Sequence, residues 1–80
     1  MDFKNAYSQA DELLKKWGEK GVIMAGDSDT DWIFKGHVVP NDKLSGSLLL
    51  VDKNNGEMRL FNVGRRRDRD VGRTAKPITI

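Results

Sequence analysis

The 80-residue chain predicts an α+β fold: one N-terminal amphipathic helix packed on a four- to five-stranded antiparallel sheet. Three observations carry this expectation. Apolar residues recur at helical spacing over the first seventeen positions only. Short β-branched and aromatic runs, separated by glycine- or asparagine-rich turns, fill the rest. Strands that follow a lone helix, rather than alternating with several, favour an antiparallel sheet covered by that helix over a parallel α/β arrangement. The length is that of one domain, so residues 1–80 form a single unit.

The helix is expected over residues 3–17. Phe3, Ala6, Tyr7, Ala10, Leu13, Leu14 and Trp17 fall on one face at i, i+3, i+4 and i+7 spacing, with polar residues between them. Asp2 is placed to cap the N-terminus. Glu12 and Lys16 have the spacing of a favourable i, i+4 pair. Gly18 and Gly21 end the helix, since glycine tolerates the left-handed conformation of a C-terminal cap. Phe3, Tyr7 and Trp17 are read as core.

Strands follow at about 22–25, 32–39, 47–52 and 57–63, with a possible edge strand at 77–80. Val22-Ile23-Met24-Ala25 is an apolar run between Gly21 and Gly26, and Trp32-Ile33-Phe34 opens the second strand. Pro40-Asn41-Asp42 marks a turn. Leu48-Leu49-Leu50-Val51 predicts a strand buried on both faces. Lys53-Asn54-Asn55-Gly56 predicts a tight hairpin, because Asn-Gly suits positive φ angles. Leu60 and Phe61 are adjacent, so one of them points away from the helix side. Residues 64–73 hold one apolar residue and read as an Arg-rich loop.

Composition removes whole classes of function. The chain has no Cys, so disulfides, thiolate metal sites and Cys nucleophiles are excluded. Hydrophobic residues at 38% argue for a folded core rather than a disordered chain. No apolar run approaches the roughly 18–20 residues of a membrane span, and the polar N-terminus lacks a signal peptide's apolar stretch. A cytoplasmic protein without membrane association is the expectation. The net charge of +2 conceals a gradient. Residues 1–31 carry four Lys against seven acids, whereas residues 32–80 carry ten bases against five. Such asymmetry predicts two faces or ends of opposite sign.

Two charged constellations stand out. Asp27, Asp29 and Asp31 alternate as calcium-loop ligands do. However, Trp32 stands where that loop needs Gly, and Val38 where it needs Glu. A solvated turn, or an acidic patch that meets a basic partner, accounts for them better. Arg65, Arg66, Arg67 and Arg69, followed by Arg73 and Lys76, form the second. Clustered arginines neutralise phosphates, but Asp68 and Asp70 interrupt the run, and no aromatic residue offers a stacking platform within it. A solvated segment and contact with an acidic protein surface are the alternatives. Trp32, beside Asp31, is expected to be half exposed and suited to an interface, where Trp and Arg are enriched. His37, the only histidine, has no triad partners at recognisable spacing: Ser45 and Ser47 belong to no nucleophile elbow. No Gly-rich phosphate loop is present. So small a domain also has little room for a ligand pocket beside its core. A non-enzymatic protein without cofactor or metal is therefore expected.

The order of features resembles a family. An N-terminal helix precedes a strand with the aromatic pair Trp32 and Phe34. Gly46 then leads the stretch Leu48-Leu49-Leu50-Val51-Asp52-Lys53-Asn54-Asn55-Gly56-Glu57-Met58, and Thr74-Ala75-Lys76-Pro77 closes the pattern. Over residues 5–77 this resembles the YrhB-like immunity proteins of bacterial polymorphic-toxin systems. The Arg-rich stretch 65–70 lies outside the shared pattern. The resemblance implies a non-enzymatic protein that binds and occludes a cognate toxin. The candidate contacts are Asp27, Asp29, Asp31 and Trp32, or Arg65, Arg66, Arg67 and Arg69. A small nucleic-acid-binding accessory protein using residues 65–73 is the second expectation. A regulatory or chaperone-like interaction module is the third.

Overall fold

A computed structural model describes residues 2–37 and 46–79. The elements are helix α1 (Phe3–Lys16), strands β1 (Met24–Asp27), β2 (Asp31–Lys35), β3 (Leu48–Asp52) and β4 (Met58–Leu60), helix α2 (Arg66–Thr74) and strand β5 (Lys76–Ile78). The expected α+β fold is present. The five strands lie in the order β4-β3-β2-β1-β5, and every neighbouring pair is antiparallel. The chain thus runs as a meander from β1 to β4, then returns through α2 to add β5 at the opposite edge. The expected turn at Pro40-Asn41-Asp42 and the end of the expected second strand, Val38 and Val39, lie outside the described residues. So does Ile80 of the edge strand. Among the described residues no helix is long and apolar enough to cross a membrane.

Helix α1 forms for the reasons its sequence supplies. The Asp2 carboxylate accepts the Asn5 N–H at 2.9 Å, satisfying a first-turn donor that the helix itself cannot pair. Lys15 and Lys16 stand in the last turn, where they suit the negative end of the helix dipole. Ala6, Ala10 and Leu14 are fully buried. The two small residues let the helix lie close on the sheet, against Ala25, Phe34, Leu49 and Val51. Phe3 and Tyr7 complete the cover. Their ring centroids lie 5.7 and 6.1 Å from that of Phe34, and Phe3 meets Trp32 edge-on at 6.0 Å. Trp17 departs from the expected core role: it is 46% exposed, because it is the C-cap residue and has left the helical face. Among the described residues, the i, i+4 ion pair on this helix is Asp11–Lys15 at 3.0 Å, not Glu12–Lys16. Asp11 is fixed in that role because it also accepts the Val22 N–H at 2.9 Å.

Register places two different surfaces on the sheet. Ala25, Phe34, Leu49 and Leu60 form one cross-strand row, and Gly26, Ile33, Leu50 and Arg59 the next. Side chains alternate along a strand, so the first row faces α1 and the second faces away. Burial of Leu49, Leu50 and Val51 bears out a β3 covered on both sides. Phe61 is the residue that turns from α1: it lies against Gly72 of α2, where an added Cβ would come within 3.2 Å of its ring.

The β3–β4 hairpin differs from the expected turn. Gly56 has φ +73, but among the described residues no non-glycine residue has a positive φ, so Asn55 does not take the conformation a two-residue Asn-Gly turn requires. The reason is Asp52. Its carboxylate accepts the Asn54 N–H at 2.7 Å, and its backbone closes a four-residue loop with Glu57 and Gly56. Loops of that length are built around type I turns.

The largest correction concerns residues 64–73. They are not a loop: Arg66–Thr74 is α2. Its inward residues are Asp68 and Val71, both buried. A helix whose buried face is half carboxylate shows no apolar periodicity, so the pattern that reveals α1 is absent here. What holds it are local bonds. Asp68 accepts the Asn62 N–H at 3.0 Å, Arg73 pairs with Asp70 at 3.1 Å, and the Thr74 hydroxyl donates to the Asp70 carbonyl at 2.7 Å.

Candidate binding surface

The end of the sheet beneath α2 carries two carboxylates in register, Asp31 of β2 opposite Asp52 of β3. Like charges directly opposite destabilise a sheet. Two arginines resolve the conflict. Arg67, from the first turn of α2, donates to Asp31 at 3.1 Å and to Asp52 at 2.9 Å. Arg59, from β4, donates to Asp31 at 2.9 Å and to Asp68 at 2.8 Å. Asp31 and Asp68 are both 0% exposed, so three acids and two bases form one chain of bonds that fastens α2 to the sheet. Among the described residues no buried side-chain polar atom lacks a partner.

The titrations follow from this geometry. Desolvation works against the Arg59 charge, but the bonds to Asp68 and Asp31 outweigh it and hold the guanidinium above its ordinary value. Arg67 is held up by Asp52 and then Asp31. The Asn54 N–H, followed by Arg67, holds the Asp52 carboxyl below its ordinary value.

This network reassigns several candidate contacts. Asp31 is an internal anchor and does not belong to an open acidic patch. Asp27 pairs with Lys53, whose ammonium lies 5.5 Å from the Trp32 ring centroid. Trp32 is half-buried against Phe3, as its position at the strand start suggested. Asp29 remains exposed in the β1–β2 turn. The three Asp residues therefore point to three different roles, and among the described residues no group of three His, Asp or Glu side chains is placed to hold a metal ion. Arg67 likewise belongs to the anchor.

Arg65, Arg66 and Arg69 are exposed and make no ion pair among the described residues. At 100° per residue, Arg66, Arg69 and Arg73 lie opposite buried Asp68 and Val71, while Arg65, the extended N-cap residue, stands beside Asp52, Glu57, Arg59 and Arg67. Asp70 is the one acid on that outer face, and Arg73 already pairs with it. A cleft of about 490 Å³ separates this face from the turn at Ser28, Asp29 and Thr30. Beyond the C-terminal end of α2 no described residue covers the sheet. There Met24, Gly26, Ile33, Leu48, Ala75 and Pro77 line an apolar groove of about 200 Å³, with Lys35 at its side. His37 is half-buried near the far end of β2, its carbonyl accepting the Lys20 N–H at 2.9 Å. Ser47 donates to Glu19, whereas Ser45 lies outside the described residues.

Sequence reasoning found the arginines but not their division into one anchor and three free groups. It missed Arg59 and Asp68. The available signal was the i, i+3 spacing of Asp68 and Val71 among arginines, which marks a helix with a charged inner face. Comparison with protein-family models gives no match, and neither the curated proteins nor the solved structures yield a similar chain.

Proposed function

We propose that this is a non-enzymatic binding protein that neutralises a protein toxin by occluding it, and that it docks through the outer face of α2. One observation carries the choice of surface. Asp11, Asp27 and Asp31 of the first half are paired within the fold, while Arg66 and Arg69 on α2 and Arg65 at its N-cap are exposed and make no ion pair among the described residues, on a helix fastened to the sheet. A rigid face of unpaired guanidiniums suits an acidic protein surface, which it recognises through forked, charge-assisted hydrogen bonds. The mechanism is steric: the helix and sheet cover the toxin's active site, and charge steers the encounter.

The test is growth protection against a toxin encoded beside the protein. Reversing Arg65, Arg66 and Arg69 to Glu should slow association about 10-fold or more and abolish protection, while the unfolding free energy from urea titration stays within about 0.5 kcal/mol of the parent. Undiminished protection by that variant rejects α2 as the docking element. The same arginines favour a second reading, binding to nucleic-acid phosphates, because a helix that presents several guanidiniums on one side can track a backbone. A salt titration with single- and double-stranded DNA and RNA separates the two. Binding whose log affinity falls steeply with log salt supports the nucleic-acid reading, and no binding at low salt removes it.

A further inference from the structure

Among the described residues, the sheet surface facing away from α1 is only half covered. Helix α2 closes over Leu50, Phe61 and the Asp31–Asp52 end, and the other half is the groove beside Ala75. We propose that this groove seats an aliphatic side chain of an acidic segment of the partner protein, an inference that rests on the outer face of α2 being the docking element. Size is the first reason. About 200 Å³ lies below the roughly 300–1,000 Å³ of small-molecule pockets, but suits one side chain. The lining is the second. Met24 and Leu48 flank Lys35 in one cross-strand row, and Ile33 and Pro77 flank Gly26 in the next. Apart from Lys35, no lining side chain offers a hydrogen bond for a base edge, and none offers an aromatic face for stacking, so the groove favours an aliphatic side chain over a nucleobase.

Gly26 keeps the groove open. A Cβ there would lie 2.8 Å from Ile33 Cγ2 and 3.2 Å from Ala75 Cβ, filling the notch between the sheet and the end of α2. Met24, 59% exposed, stands at the rim without cover. Charge then fixes the occupant. Lys35 lies along one side of the groove, and the α2 face that carries Arg66, Arg69 and Arg73 runs up to Ala75 at its other end. A leucine or isoleucine flanked by Asp or Glu places its side chain on Ile33 and its carboxylates beside these cations. A second copy of the chain is a poor occupant. Two-fold pairing sets the same patch against itself and brings two arginine faces together.

Fluorescein-labelled peptides of Glu and Ser with a single central Leu, and their Leu→Ser counterparts of equal charge, test the proposal by anisotropy. The Leu peptide should bind about tenfold tighter or more. Met24→Ser, at an exposed site that leaves the core intact, should remove most of that advantage without weakening the Ser peptide. Leu48→Ser, across Lys35 from Met24, should do the same. Arg66→Gln with Arg69→Gln should weaken both peptides by the same factor and leave their ratio unchanged. Equal affinity of the two peptides for the intact protein overturns the groove while leaving the arginine face standing. Binding of the Leu peptide that ignores the arginine changes overturns the arginine reading instead, and failure of both peptides to bind rejects both. Dimerisation abolished by Met24→Ser in the absence of peptide would assign the groove to a second copy and overturn the proposal. An RNA oligonucleotide that displaces the Leu peptide from the intact protein but not from Met24→Ser would overturn it as well.

Discussion

Asp31 shows what a single residue does in this molecule. Sequence presents it as the third member of an alternating acidic turn; the structure buries it completely between two guanidiniums. Only its register opposite Asp52 exposes the need for a cation, and register is a tertiary fact. Trp32, next along the chain, was legible because its neighbours alone place it at a strand start. Asp31→Asn leaves Arg59 and Arg67 without their shared partner. Removing one member of a buried pair costs about 3–5 kcal/mol, so Tm should fall by ~12 °C or more, measured by circular dichroism. A fall of a degree or two would mean that the network contributes little. The pH dependence has a definite sign. Bonds from the Val22 N–H lower the Asp11 pKa, and those from the Asn54 N–H and Arg67 lower that of Asp52. A folded-state value below the unfolded one gives stability that is fully present above the unfolded pKa of about 4. It is lost as pH falls through the lower, folded value. The urea midpoint should therefore hold from neutral pH to about 4 and then drop, and Asp52→Asn should flatten the drop. A midpoint independent of pH between 4 and 2 would contradict this.

At the scale of elements, α1 and α2 are opposites. Helix α1 presents Ala6, Ala10 and Leu14 to the sheet at i, i+4 spacing, so hydrophobic periodicity finds it and its boundaries to within a residue. Helix α2 presents Asp68 and Val71, and the same search passes over it. Strand β3 was legible as a strand buried on both faces, yet what buries its second face was not, because the cover is that overlooked helix. The two helices should also respond differently to substitution. Leu14→Ala should cost about 2–5 kcal/mol of global stability. Asp68→Ala removes the acceptor for Arg59 and for the Asn62 N–H, and its first effect should be local. Hydrogen exchange should show α2 amides losing protection while Phe34 and Leu49 amides in the central strands keep theirs. Equal loss in both regions would mean that α2 and the sheet unfold as one unit.

Across the whole molecule, the opposed charges of the two halves are not separated onto opposite ends, as the sequence suggests. Folding brings them together: Asp31 meets Arg59 and Arg67, and Asp27 meets Lys53. The surplus that survives is concentrated on α2, which is why a chain of net +2 presents a strongly basic face. The same closure has a consequence for synthesis. A ribosome delivers the β2–β3 carboxylate pair well before it delivers Arg67. A meander formed before α2 docks holds Asp31 and Asp52 opposite each other with only Arg59 to relieve Asp31. The sheet's most hydrophobic strand is then complete while one of its faces is still bare. Any state in which α2 is undocked leaves that apolar face of β3 open, and docking of α2 is the step that closes it.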